Sequence, residues 1–279
     1  MWREQARLSL PGRQEKPNED GAVVRIEGER ALFAVLDGVS SIDGSVDGYK
    51  VDGTFVPGGC WAMRQVQQHL EMVPLADIAD AFNAVCGADE ALERAFDGRG
   101  VNHEVRWRLP AVAGIVVVTD AAEQTFTWAQ VADGMLMHER PDGVRFALEN
   151  HMREVDAATL EVFRACDGRR DDERVKAKLR EQYERRNTAG SYPVLDGAVN
   201  RDLVRSGCVP LAEVKRFALW SDGLQTVADA PHDVGTAILT GGLDAWYRAV
   251  VAREEADSTF MNPLRYNNDD KSGLIIERA

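Results

Sequence analysis

The feature that most constrains this chain is the run Ala31-Leu32-Phe33-Ala34-Val35-Leu36, which ends in Asp37-Gly38. Six consecutive apolar residues rich in Leu, Val and Phe predict a strand covered on both faces, so structure must lie on each side of it. A carboxylate carried straight off the end of such a strand is unfavourable unless a cation, an Arg or Lys, or a metal ion compensates its charge. The glycine that follows allows a tight turn, which would let its own carbonyl face the same ligand. The sequence therefore centres a candidate divalent-metal site on Asp37.

The rest of the chain can be read around that strand. Ala22 to Ile26 predicts its hairpin partner, with Gly28-Glu29 at the turn. Antiparallel pairing then sets Glu19-Asp20, at the start of one strand, beside Asp37 at the end of the other. Alternation over Ala6, Leu8 and Leu10 predicts an opening strand closed by Pro11-Gly12. Residues 40–59 read as a loop whose Asp43, Asp47 and Asp52 lack the closing glutamate of a calcium loop. Helices are predicted from Cys60 to Leu70 and from about Leu75 to Cys86, with a third capped by Asp89.

Strands return at Val105 to Leu109, Ala111 to Val118 and Phe126 to Trp128, the last running on into Asp133-Gly134. Met135 to His138 and Arg145 to Leu148 complete a meander. A charged helix is expected over about Asp171 to Arg186. Phe217 to Trp220 then delivers Asp222-Gly223, a helix follows near Leu243 to Arg253, and Asp269-Asp270 leads into a last buried strand. Hairpins outnumber β-α-β units and no linker or repeat interrupts the chain. The expected class is α+β with antiparallel sheets, one domain over residues 1–279 with a helical and irregular insert at about 149–210.

Composition narrows the chemistry. The formal net charge of −13 disfavours a nucleic-acid-binding face, which needs basic residues. Four dispersed cysteines and five scattered histidines form no Cys-x-x-Cys or His-x-x-x-His spacing. A metal here must take oxygen ligands, which points to Mg²⁺, Mn²⁺ or Ca²⁺ rather than zinc. The cysteine usage, the lack of a signal pattern and the shortness of the apolar runs predict a soluble cytoplasmic protein with no membrane partner.

One Asp-Gly pair ordinarily means a turn. Here Asp20, Asp37, Asp133, Asp222 and Asp269 each stand at the edge of a strongly apolar strand. If those strands share a sheet edge, their carboxylates converge and repel unless cations intervene. An all-oxygen site for two Mg²⁺ or Mn²⁺ ions follows. Paired ions roughly 3.5–4 Å apart suit phosphoryl hydrolysis, because they activate a bridging water and neutralise phosphate charge.

In that order, Asn18-Glu-Asp-Gly21, Phe33-Ala-Val-Leu-Asp-Gly38, Val131-Ala-Asp-Gly134, Leu219-Trp-Ser-Asp-Gly-Leu224 and Asp269-Asp-Lys-Ser-Gly-Leu-Ile-Ile276 resemble the metal-dependent type 2C Ser/Thr protein phosphatases. Arg186-Asn-Thr-Ala-Gly-Ser-Tyr192 resembles a feature of a bacterial branch of that family. The resemblance implies a four-layer α-β-β-α sandwich, two antiparallel sheets flanked by helices, with the metals in a cleft at one edge. It also implies roles. Asp37 would bridge both metals with the Gly38 carbonyl on one of them, and Asp222 and Asp269 would hold the other. Asp20, with Glu19, would bind or orient metal waters. Asp133 would serve a third, weaker metal site or stand behind the ligands, and Ser272 would steady the last motif.

Several positions depart from the family pattern. Lys16 or Arg13, one of the two, stands where an arginine grips substrate phosphate, and lysine lacks the bidentate fork. Val39 follows Asp37-Gly38 where some members carry a histidine proposed as general acid. Ala113-Gly114 replaces Gly-Thr-Thr or Gly-Ser-Thr, and Met135-Leu136 replaces Ser-Arg.

The leading expectation is hydrolysis of phosphoserine or phosphothreonine in a phosphorylated protein, the product of a partner Ser/Thr kinase in signalling, by a metal-bridging hydroxide without a phosphoenzyme. Two alternatives stand beside it. One is a catalytically weak phosphatase-like binding module. The other is a two-metal phosphatase acting on a small phosphorylated metabolite.

Overall fold

The computed structural model describes residues 2–12, 17–39, 49–51, 53–101, 106–167, 169, 172–225, 229–256 and 269–279. The chain begins with β1 (Trp2–Leu10), β2 (Asp20–Glu27) and β3 (Arg30–Val39), then a small hairpin of β4 (Tyr49–Val51) and β5 (Thr54–Val56). Two helices follow, α1 (Gly58–Met72) and α2 (Ala81–Asp97). Next come β6 (Ala111–Asp120), β7 (Thr125–Val131), β8 (Met135–Glu139) and β9 (Arg145–Ala147), and then α3 (Arg153–Arg164) and α4 (Glu173–Glu184). The chain ends with β10 (Arg205–Pro210), β11 (Arg216–Trp220), α5 (Pro231–Gly241), α6 (Leu243–Ala256) and β12 (Lys271–Arg278).

Two five-stranded sheets result, in the orders β10-β7-β6-β3-β2 and β1-β12-β11-β8-β9. Every pairing within them is antiparallel. β3 explains how they stack. Its Leu32, Ala34 and Leu36 face α1 and α2 in one apolar cluster, while Ala31, Phe33 and Val35 face the other sheet in a second. The period of two in side-chain direction turns one apolar run into the middle of two cores. Between the sheets, Phe217 meets Trp2, Phe33 and Phe126 edge to face, with ring centroids 5.3, 5.3 and 5.2 Å apart. On the far side α5 and α6 cover β8, β11 and β12. The layers are helix, sheet, sheet, helix, as the α+β sandwich expectation required.

Several local expectations need correction. Residues 106–108 form a 3₁₀ turn rather than a strand over Val105 to Leu109, and Val105 itself lies outside the described residues. The helices expected from Leu75 and from Asp89 are one helix, α2, whose N-cap is Asp80; its side chain accepts the Asn83 N–H. Asp89 is buried in mid-helix and accepts the N–H groups of Gly197 and Val199 at 2.9 Å each. The loop expected over 40–59 contains the β4–β5 hairpin and the start of α1, while Asp43, Asp47 and Asp52 lie outside the described residues. Within 149–210, α3 packs on α4 through Phe163, Cys166 and Val175, but the last six residues are strand β10, paired with β7. All four cysteines are free thiols. No described helix is long and apolar enough to cross a membrane.

Candidate metal centre

The register of β2 against β3 sets Asp20 directly opposite Asp37. Asp133 lies in the short link from β7 to β8, where the chain crosses from one sheet to the other. Asp222 opens a 3₁₀ turn straight after β11, and Asp269 stands just before β12. The five strand ends therefore do not share one sheet edge. They belong to the matched ends of two stacked sheets, which approach from two layers. Asp37, Asp133 and Asp222 each offer a carboxylate oxygen, and these oxygens lie within 4.8 Å of one another.

The electrostatics follow from that convergence. Burial is the main cause pushing the Asp20 carboxyl well above its ordinary range, with Asp269, Asp222 and Asp270 adding to it and the Ser221 hydroxyl opposing. Burial likewise leads for Asp37, followed by the negative charges of Asp20, Asp222, Asp133 and Asp269. The groups acting most strongly on Asp37 are thus carboxylates, and their mutual repulsion calls for positive charge. Closely spaced oxygens fit hard divalent ions such as Mg²⁺ or Mn²⁺.

Polar groups behind the carboxylates fix where they point. The Ser221 hydroxyl donates to Asp20 Oδ2 at 2.7 Å and accepts the Ser272 N–H at 3.0 Å, linking the two sheets through one oxygen. The Ser272 hydroxyl contacts that of Ser9 at 3.2 Å. Gln130, fully buried, donates through Nε2 to the carbonyls of Gly134 at 2.8 Å and Glu149 at 3.1 Å, bracing the corner that carries Asp133. The Gly38 N–H donates to the Glu19 carbonyl at 2.9 Å. Lys271, buried, donates to the Asp269 carbonyl at 2.8 Å and pairs with Glu254 of α6 at 3.0 Å. A cavity of about 310 Å³ lies between β9, the start of α3 and the start of α5. Its wall includes Glu149 and Gln225, whose N–H returns to the Asp222 carbonyl at 2.8 Å.

Among the described residues the structure thus brings the carboxylates of Asp37, Asp133 and Asp222 together. Asp20 and Asp269 act on the same group. Arg13 and Lys16 lie outside the described residues. Met135 and Leu136, which replace Ser-Arg, are core residues of β8 and offer the site no polar group. Sequence reasoning missed Ser221, Gln130 and Lys271. The signals for Ser221 and Lys271 were their places before Asp222-Gly223 and after Asp269-Asp270, whereas nothing in the sequence marked Gln130.

By sequence, residues 12–258 match the family described as Protein phosphatase 2C. No curated protein matches the sequence. Among solved structures the chain resembles the serine/threonine phosphatase Stp1 from Staphylococcus aureus, with TM-score 0.60 and 12% identity over 99% of this chain and 96% of that one. The S. agalactiae serine/threonine phosphatase gives 0.56 and 14% over the whole of both chains. RsbX in complex with magnesium gives 0.54 and 12%, also over the whole of both. At such identities the structural likeness establishes the fold alone.

Proposed function

Because the chain belongs to the protein phosphatase 2C family, we propose that it is a metal-dependent phosphatase of phosphoserine and phosphothreonine in proteins, with residues 1–279 forming one catalytic unit. The observation that carries this reading is the convergence of Asp37, Asp133 and Asp222 from the ends of two sheets. Asp37, Asp222 and Asp269, with the Gly38 carbonyl, would hold two ions, Mn²⁺ or Mg²⁺, and Asp20 with Glu19 would orient their waters. Asp133 in this central group also supports a third, weaker ion there. Such ions supply Lewis-acid activation of water and neutralise phosphate charge.

The chain's own residues do the positioning. Ser221 holds the Asp20 carboxylate toward the group. Gln130 fixes the corner bearing Asp133. Arg13 or Lys16 would orient the substrate phosphate. The phosphoprotein products of a Ser/Thr kinase, in the cytoplasm, are the substrates this site suits.

The test is hydrolysis of phosphopeptides with Mn²⁺ added or chelated. Activity is expected with Mn²⁺, and Asp37→Asn or Asp222→Asn should each reduce it by more than the roughly 10- to 100-fold lost when only a group that orients a metal ligand is removed. Turnover that survives chelation or both substitutions overturns the metal reading. Metal binding with no turnover on any phosphopeptide turns the reading to a binding module, and hydrolysis confined to small phosphates turns it to a metabolite phosphatase.

A further inference from the structure

Asp269 and Asp270 are adjacent carboxylates at the mouth of β12, and spacing alone does not say what the second one does. We infer that Asp270 is a positioning residue of the metal centre, working through backbone groups rather than as a ligand. The inference rests on the metal reading above.

The carboxylate and the N–H of Asp270 are hydrogen-bonded, and its carbonyl is packed against a neighbouring backbone. Its side chain accepts the Gly12 N–H at Oδ1, 2.6 Å away, and the Glu19 N–H at Oδ2, 2.7 Å away. These are short, charge-assisted bonds, stronger than neutral ones. Glu19 in turn accepts the Gly38 N–H at its carbonyl. A continuous path therefore runs from the Asp270 carboxylate through Glu19 to the residue beside Asp37. On its other side the Asp270 N–H donates to Asp269 Oδ1 at 3.1 Å. Its carbonyl packs so closely on Gly223, next to Asp222, that a Cβ there would lie 1.8 Å from the oxygen. One residue thus touches the immediate surroundings of Asp37, Asp222 and Asp269, which come from both sheets. Fixing Asp270 fixes the relative placement of all three.

A role as ligand would direct the carboxylate oxygens into the group of acids. Instead each is aimed at a backbone N–H in the chain that leads into β2. A bystander role would leave the ligands' surroundings unchanged when the side chain is removed, but this side chain is what anchors Glu19.

The experiment is calorimetric titration of Mn²⁺ into the full chain and into Asp270→Asn and Asp270→Ala, with thermal unfolding of each in chelator. Asn retains one acceptor oxygen and turns an amide N–H₂ toward the second donor, so it keeps part of the anchor. Removal of a group that orients ligands weakens metal binding roughly 10-fold to 100-fold. Asp270→Ala should therefore bind Mn²⁺ at least about 10-fold more weakly, with Asp270→Asn between it and the unaltered chain. If Asp270→Ala does not fold, the isosteric Asp270→Asn carries the comparison. Unchanged Mn²⁺ affinity with a lowered melting temperature overturns the inference in favour of a purely structural role. Equal weakening in both variants overturns it in favour of bare charge, and one fewer Mn²⁺ bound at saturation in favour of direct ligation. Absence of Mn²⁺ binding in the unaltered chain overturns the metal reading itself, and the inference with it.

Discussion

A Cβ added at Gly223 would lie 1.8 Å from the Asp270 carbonyl oxygen, and one at Gly134 would lie 2.1 Å from the Gly114 carbonyl carbon. At Gly38 it would meet the Gly59 carbonyl at 2.4 Å. None of these three glycines is among those with positive φ. The tight-turn reading of Asp37-Gly38 therefore gives way to a different cause: backbones approach so closely here that no side chain fits. Gly223→Ala is expected to destabilise the protein by about 1–3 kcal/mol, as overpacking does, and to weaken Mn²⁺ binding. Gly241→Ala at the end of α5, where nothing lies within 4 Å, is the neutral control; urea unfolding with and without Mn²⁺ reads both, and equal effects would refute the steric account. Ser221→Ala removes the donor to buried Asp20 and the acceptor for Ser272. A loss of about 1–3 kcal/mol is expected from the unsatisfied groups, with a higher Mn²⁺ requirement in the phosphatase assay. The five aspartates were legible because a carboxylate at the end of an apolar strand is conspicuous on its face. Ser221 and Asp270 were not, because their roles depend on which backbone groups the two sheets bring within 3 Å, and that alignment is set by packing rather than by any local pattern.

Among the elements, β8 shows how the sheet next to the site is tied at its other end. Met135 pairs with Trp220 beside the carboxylates, and four residues on Glu139 pairs with Arg216 on one side and Arg145 on the other. Buried Glu139 accepts from Arg216 at 2.9 Å through each oxygen and from Arg145 at 2.7 Å. The Arg216 hydrogen bonds are the largest cause lowering its carboxyl from 4.5 to about 2, with Arg145 adding to them against the opposing effect of burial. A carboxyl whose folded value is depressed stabilises the fold above its unfolded value, and that stability is lost as pH falls from about 4.5 toward 2. The shift corresponds to about 3 kcal/mol at neutral pH. Glu139→Gln should therefore unfold at lower urea concentration than the unaltered chain at pH 7, by about that free energy, and the gap should narrow as pH drops below about 4.5. A gap independent of pH would assign the loss to packing instead. At this scale the strands were legible, since two-sided burial leaves long apolar runs. The helices were less so. Asp89 has the residue type of an N-cap, yet α2 starts at Asp80 and buries Asp89 against Gly197 and Val199, contacts about a hundred residues distant that no local window contains.

For the molecule as a whole, the two sheets are held together by an apolar and aromatic core, while at one end they press like charges against each other. Those two facts oppose one another in the metal-free chain: the packing that defines the sandwich also forces Asp20, Asp37, Asp133 and Asp222 into proximity. Function and stability should then pull apart at the centre of the site. A ligand that binds only the folded state adds about 2.7 kcal/mol at a hundred times its Kd, so Mn²⁺ at that excess should raise the melting temperature by several degrees and chelator should reverse it. Asp37→Asn removes one charge from the crowded group without deleting a hydrogen-bonded core residue. In chelator it is expected to be more stable than the unaltered chain, by about 1 kcal/mol, while losing most of the Mn²⁺-induced rise. The same change at an exposed carboxylate such as Asp233 should move neither value. The comparison is made by thermal unfolding of the three proteins with and without Mn²⁺. An Asp37→Asn protein that is less stable in chelator would mean that the carboxylates are already compensated by the chain's own cations, and that the sandwich needs no metal to hold its acidic end together.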